Sequence, residues 1–255
     1  MSALRTEGLE AGVGKVTACR DLNLVVKPGE VWSVLGRNGV GKSTLLLTLA
    51  GLKPLRGGQI QVEGTALGDL SRRERARRLS ILFQNPDVIF PTTVFEAVMT
   101  GRHPWISGWK GTSANDTLLV REQLTRMGLA GFEARALPTL SGGERRRVDL
   151  AALAVQQTTV VLMDEPVNHL DLHYQVQLLQ TLLEDWRQAG QAVIMVMHDI
   201  NLAMRFSDRL LLLYGDGETC QGLVADVATE ENLSRLYQHA LHRYPAGGHS
   251  FFWPL

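Results

Sequence analysis

The stretch Gly36-Arg37-Asn38-Gly39-Val40-Gly41-Lys42-Ser43-Thr44 constrains this chain more than any other. It fits the pattern G-x-x-x-x-G-K-[S/T], and its flanks supply the context that the pattern needs. Residues 31–35 before it read as a short buried strand, and residues 43–50 after it as a helix stopped by Gly51, with Pro54 beyond. Strand, glycine loop and helix in that order make a phosphate cradle. Glycines let backbone N–H groups point inward at anionic oxygens, and the helix N-terminus adds partial positive charge at the same place. Lys42 brings a full charge to the outer phosphates, and the Ser43 hydroxyl is a natural Mg²⁺ ligand. A glycine turn that merely happens to hold Lys-Ser would arise in roughly one chain of this length in a hundred, before the flanks are counted.

Around this loop the chain reads as α/β. From residue 148 onward apolar runs alternate with helices: strand 159–164, helix 172–188, strand 192–197, a short helix from Asn201, and strand 210–214. That alternation predicts buried parallel strands. Residues 1–35 read as short strands and turns, with 22–26 one strand and 59–63 another, an antiparallel β region ahead of the main sheet. A further strand, 79–83, ends at Gln84. Residues 85–140 are punctuated by Pro86, Pro91, Pro104, Gly101, Gly108 and Gly111, and carry helical pieces at 94–100 and 116–127. The expected organisation is one domain, 1–255: a core at 1–84 and 148–229, a helical insert at 85–147, and a helix with an irregular tail at 230–255.

Composition closes off some functions. Lys and Arg number 26 and Asp and Glu 26, so no net basic field points to nucleic acid. Cys19 and Cys220 fit no metal or redox spacing and read as reduced thiols. No signal peptide is evident, and the longest apolar runs are too short to cross a bilayer. Arginines at 72, 73, 75, 77 and 78 read as a solvated helical face rather than an anion patch, because Ser71 with Glu74 makes a capping box. Trp105 and Trp109 are left open between partner contact and packing anchor.

Five more features fall where a nucleotide hydrolase needs them. Asp164 ends a buried strand, a place for a carboxylate to meet Mg²⁺ through water. Glu165 next to it can act as general base on an attacking water. Gln84, at another strand end, can ligate the metal or hold water, and His198 after strand 192–197 can donate to a γ-phosphate. Ser141-Gly142-Gly143-Glu144 opens a helix and is both a candidate anion nest and a capping box. One chain thus carries two phosphate-binding devices.

The set resembles the nucleotide-binding subunit of an ABC transporter, over nearly the whole chain. Gly36 to Thr44 is similar to that family's Walker A loop, Gln84 to its Q-loop, and Leu140 to Glu144 to the LSGGE signature. Val160 to Glu165 resembles Walker B with its catalytic glutamate, Asn168-His169-Leu170-Asp171 the D-loop, and His198 the switch histidine. The resemblance implies a P-loop NTPase with a RecA-like parallel-sheet core, ATP and Mg²⁺ as ligands, and a head-to-tail homodimer. Each ATP would lie between one subunit's P-loop and the other's signature, with Asp171 nearby. It also implies a polytopic membrane permease dimer, a substrate-binding protein in the complex, and residence at the cytoplasmic face of the inner membrane. Thr93 to Val98, Gly101 to Pro104 and His198 to Ala203 are similar to ATPases of importers for iron-siderophore, haem or cobalamin. Three positions depart from the family: Val13 where an aromatic residue stacks on adenine, Arg146 where Gln is common, and Ala152 where Arg is common. The last two are not expected to cost hydrolysis. A soluble ABC-type ATPase acting on ribosomes, DNA or cluster assembly is the alternative, but such chains carry two cassettes or a long coiled coil. A non-hydrolysing scaffold is disfavoured by Glu165 and His198.

Overall fold

The chain alternates strands and helices because its apolar residues do, and a computed structural model describes residues 2–84, 92–106, 111–168, 170–246 and 249–255. In order the elements are β1 (Leu4–Val13), β2 (Val16–Leu22), β3 (Val25–Val26), β4 (Val31–Gly36), α1 (Lys42–Leu49), β5 (Gly57–Val62), β6 (Thr65–Ala66), α2 (Arg72–Arg78) and β7 (Leu79–Leu82). Next come α3 (Val94–Met99), α4 (Ala114–Arg126), α5 (Gly142–Ala154), β8 (Val160–Asp164), α6 (Leu172–Gln188), β9 (Ala192–Val196) and α7 (Ile200–Phe206). The chain closes with β10 (Arg209–Leu213), β11 (Thr219–Leu223), α8 (Val224–Val227), α9 (Glu230–Tyr237), β12 (Leu241–Ala246) and β13 (His249–Pro254).

The main sheet runs β11-β10-β4-β9-β8-β7, with every pairing parallel except β10 with β11. Its central strands are buried on both faces, so they read as unbroken apolar runs. Side-chain alternation then sorts each strand between two cores: Val161 and Met163 join the core under α3 to α6, while Val160 and Leu162 join the one under α1 and the small sheet. That small sheet, β2-β1-β5-β6 with β3 on β1, is antiparallel throughout. Between β7 and β8 the regular elements among the described residues are helical. The α/β class, the N-terminal antiparallel region and the helical insert are all present.

Three local readings are corrected. The strand expected at 22–26 is broken, because Asn23 bonds its own neighbourhood: its amide donates to Asp21 O and its Oδ1 accepts from Gly8 N, each at 2.9 Å. The tail after α9 is the hairpin β12–β13 rather than irregular. The arginines of α2 are less a solvated face than staples. Arg73 and Arg77 both donate to Pro104 O, Arg75 to Gly51 O and Leu67 O, and Arg78 to Thr65 Oγ1. Trp105 belongs to the same cluster, its indole donating to Gln156 O at 2.7 Å with Arg77 and Arg102 over its ring. It is a packing anchor. Trp109 lies outside the described residues.

Candidate active site

Parallel strands deliver their C-terminal ends to one edge, where β4, β7, β8 and β9 present the residues that matter. After β4 the chain turns through Gly36, Arg37, Asn38, Gly39 and Val40 into α1. Gly41 is the N-cap of α1 at φ 103°, and a Cβ there would sit 2.7 Å from the Cβ of Ala18, so only glycine fits. No side chain caps this helix, which leaves its first N–H groups available to an anion. Lys42 is buried, and its Nζ donates to Gly36 O at 2.8 Å and Arg37 O at 3.1 Å. Desolvation lowers its pKa, opposed by the charges of Glu165 and Asp164.

Asp164 ends β8. Burial pushes its carboxyl pKa up, against hydrogen bonding from Ser43 and the charges of Lys42 and Arg146. One of its oxygens, Oδ1, is buried without a partner. An orphaned carboxylate oxygen on a side chain that the Ser43 hydroxyl also meets is a hard oxygen donor set, which suits Mg²⁺. Among the described residues no group of three or more His, Cys, Asp or Glu could hold a metal ion by itself.

Glu165 is the centre of the arrangement. Its backbone is held at φ 51°, a left-handed conformation that costs a non-glycine residue about 1–2 kcal/mol. Its carboxylate is bracketed by three side chains: Gln84 Nε2 and Asn168 Nδ2 each donate to Oε2 at 2.8 Å, and His198 Nε2 pairs with Oε1. These groups, with Asn38, Gly39 and Gly41 to Thr44, face a cavity of about 500 Å³, with Val13 and Val16 on its wall. A larger cavity, about 670 Å³ between α7, α8 and the hairpin, is lined by Met204, Arg205 and Phe252 and holds no phosphate cradle.

The remaining candidates lie apart from that cavity. Ser141 caps α5: its Oγ accepts from Glu144 N at 3.3 Å, and Glu144 Oε2 accepts from Ser141 N at 2.7 Å. Those bonds hold the Glu144 carboxyl below its usual range. Gly142 and Gly143 form the first turn. Asp171 caps α6, accepting from Tyr174 N at 3.0 Å. His169 lies outside the described residues. Two contacts at Glu165 have no local signal in the sequence. Asn168 opens the stretch that resembles a D-loop, but nothing there marks its bond to the Glu165 carboxylate. Arg146 donates to the carbonyls of Asp164 and Glu165, although its side chain looked remote from the chemistry.

Residues 19–168 match the family described as ABC transporter. The chain belongs to that family. Like its ABC relatives it is an ATP hydrolase on a P-loop α/β fold. It is 37% identical over 229 residues to the Probable siderophore transport system ATP-binding protein YusV of Bacillus subtilis, spanning 90% of this chain and 83% of that protein. It is 42% identical over 215 residues to the Hemin import ATP-binding protein HmuV of Gloeobacter violaceus, spanning 80% of this chain and 77% of that protein. Among solved ABC structures, an inward-facing metal-chelate type transporter superposes with a TM-score of 0.87 at 25% identity, spanning 100% of this chain and 98% of that one.

Proposed function

We propose that this chain is the ATP-hydrolysing subunit of an importer for a chelated metal, an iron-siderophore or haem foremost and cobalamin next. It would work as a head-to-tail homodimer at the cytoplasmic face of the inner membrane, against a polytopic permease dimer and with a substrate-binding protein. No helix among the described residues is long and apolar enough to cross a membrane; the proposed permease would supply the lipid-spanning part. The importer reading draws on the siderophore, hemin and metal-chelate relatives.

One observation carries the hydrolytic assignment: Glu165 sits on a strained backbone at the P-loop cavity with Gln84, Asn168 and His198 on its carboxylate. In the proposed step a water oxygen bonds to the γ-phosphorus, the bond from that phosphorus to the β-bridging oxygen breaks, and the water proton passes to Glu165. Lys42 and the N–H groups that open α1 neutralise the phosphate oxygens, and His198 donates to the γ-phosphate. Ser43, Gln84 and Asp164 would hold Mg²⁺, which when bound would supply positive charge against the phosphates. Ser141, Gly142 and Gly143 of the second copy would close over the γ-phosphate, with Asp171 at the same seam.

Glu165→Gln should keep ATP affinity, accumulate an ATP-bound dimer on size exclusion, and lose turnover by about two orders of magnitude or more. Retained turnover in that variant sinks the base, and a monomer at saturating ATP sinks the trapped dimer. For the partner, affinity purification from solubilised membranes of the native host should bring down a polytopic chain. Recovery of ribosomal or other soluble partners alone would overturn the transport reading.

A further inference from the structure

Arg146 lies on α5, five residues beyond Ser141, with its guanidinium buried against the ends of β7 and β8. A guanidinium is costly to bury unless each of its N–H groups finds an acceptor. Nε donates to Pro166 O at 3.0 Å, one terminal nitrogen to Phe83 O at 2.7 Å and Gln84 O at 3.4 Å, and the other to Asp164 O at 2.8 Å and Glu165 O at 2.7 Å. Arginine has five N–H donors, and here they meet five backbone carbonyls. Those carbonyls come from two segments, the pair that carries Gln84 and the three residues that carry Asp164 and Glu165. The left-handed backbone of Glu165 is therefore gripped on both sides, its N–H by Val196 O at 3.1 Å and its carbonyl by Arg146. Strained positions of this kind persist only where the surroundings over-determine them.

We infer that Arg146 is a positioning residue for hydrolysis. It fixes Gln84 and Glu165 relative to each other and fastens both to the helix that Ser141 opens. This rests on Glu165 being the base. Closure of the second nest on a γ-phosphate is then felt directly at the residues that handle metal and water, because one planar group spans all three segments. Glutamine, common here in the family, offers two N–H donors for five carbonyls, and methionine none. Lysine keeps the charge but cannot fan its donors across two strand ends.

The test compares Arg146→Met and Arg146→Gln with the parent in the full-length chain, by ATP affinity, steady-state kinetics and melting temperature. Arg146→Met should lower kcat roughly ten- to a hundredfold, the scale of a small misplacement of a reacting group, with KM for ATP within about twofold. Arg146→Gln should fall between Met and the parent. In single-turnover measurements the double variant with Glu165→Gln should be no slower than Glu165→Gln alone, since both changes act through one carboxylate. A packing role alone would lower Tm and leave the rate per nucleotide-binding site unchanged, whereas a rate effect independent of Glu165 would multiply with Glu165→Gln. A parental kcat in Arg146→Gln, or multiplying losses, overturns the inference. Should Arg146→Met fail to fold, Arg146→Gln carries the same comparisons. Should Glu165→Gln hydrolyse normally, the base assignment is what fails, and the kcat loss at constant KM then tests Arg146 by itself.

Discussion

The two glycine nests of this chain are treated by their surroundings in opposite ways. At Gly36 to Thr44 the loop is walled in: Lys42 is buried, Gly41 is pressed on Ala18, and a Cβ at Gly36 would meet Leu213 O at 2.8 Å. No side chain caps α1, so its first N–H groups await an anion. At Ser141 to Glu144 the helix start is open, a Cβ at Gly142 would meet nothing within 4 Å, and a full capping box satisfies two of the orphan donors, Ser141 N and Glu144 N. The first nest is complete within one chain. The second is stable in water as it stands, and in the proposed dimer it would become a phosphate site when the other copy brings the phosphate to it.

Ser141→Arg is the strongest way to break that contrast. The side chain is exposed, so folding and ATP binding at the P-loop should survive, while hydrolysis falls by about two orders of magnitude as the nest loses its geometry. Mixing Ser141→Arg with Gly41→Ala subunits should restore part of the activity, because one mixed site per dimer keeps a sound P-loop and a sound signature. No gain on mixing would mean that each chain hydrolyses alone. The two glycines sharpen the point. Gly41→Ala must accept an unfavourable φ of 103° and a contact with Ala18, so ATP affinity should drop at least about tenfold, the scale of 1–2 kcal/mol of backbone strain. Gly142→Ala should leave both stability and ATP affinity at parental values by melting and titration, and any loss of turnover there is then intermolecular.

Both glycine loops were legible in the sequence for the same reason: they are written in contiguous residues, where spacing alone sets geometry. The strands that present Asp164, Gln84 and His198 were legible as well, because burial on both faces leaves unbroken apolar runs. What escaped notice depends on residues distant in sequence. The acceptors of Arg73, Arg75 and Arg77 are carbonyls of other segments, which no local pattern marks. Arg146 did leave a trace, since it shares the buried face of α5 with Leu150 and Leu153, an odd place for a cation. The hairpin β12–β13 was hidden by Pro245 and Pro254, which a two-stranded ribbon tolerates at its edges and a central strand would not.

Asp149 separates the helix behind the second nest from the nest itself. It lies half-buried on α5, and desolvation pushes its pKa up to about 6 against the charges of Arg146 and Arg145. The fold therefore disfavours the ionised form, whereas the unfolded chain ionises near the ordinary aspartate value of about 3.9. Stability from this group is present below about pH 4 and is lost as pH rises through about 6. Asp149→Asn should remove that loss, gaining roughly 1–3 kcal/mol at pH 7.5 and little at pH 4 in paired denaturant melts. An equal gain at both pH values would mean the carboxyl is not the titrating group. Since the nest is capped by Ser141 and Glu144 rather than by Asp149, hydrolysis in this variant should track the folded fraction.

The smallest effect concerns the enclosed nest and its missing aromatic. Val13 ends β1, is half exposed, and shares the wall of the P-loop cavity with Val16. A branched aliphatic side chain gives an adenine ring a narrow apolar edge but no π-face. If the base lies over this hairpin, Val13→Tyr should tighten ATP by about 0.5–1.5 kcal/mol, or two- to tenfold in Kd, with kcat unchanged because the ring is remote from Glu165. The gain should appear for ATP and vanish for a triphosphate that lacks a base, which isolates stacking from phosphate binding. Equal affinity in parent and variant for ATP would place the base elsewhere. The enclosed nest would then hold its nucleotide by the phosphates alone, through Lys42 and the N–H groups of α1.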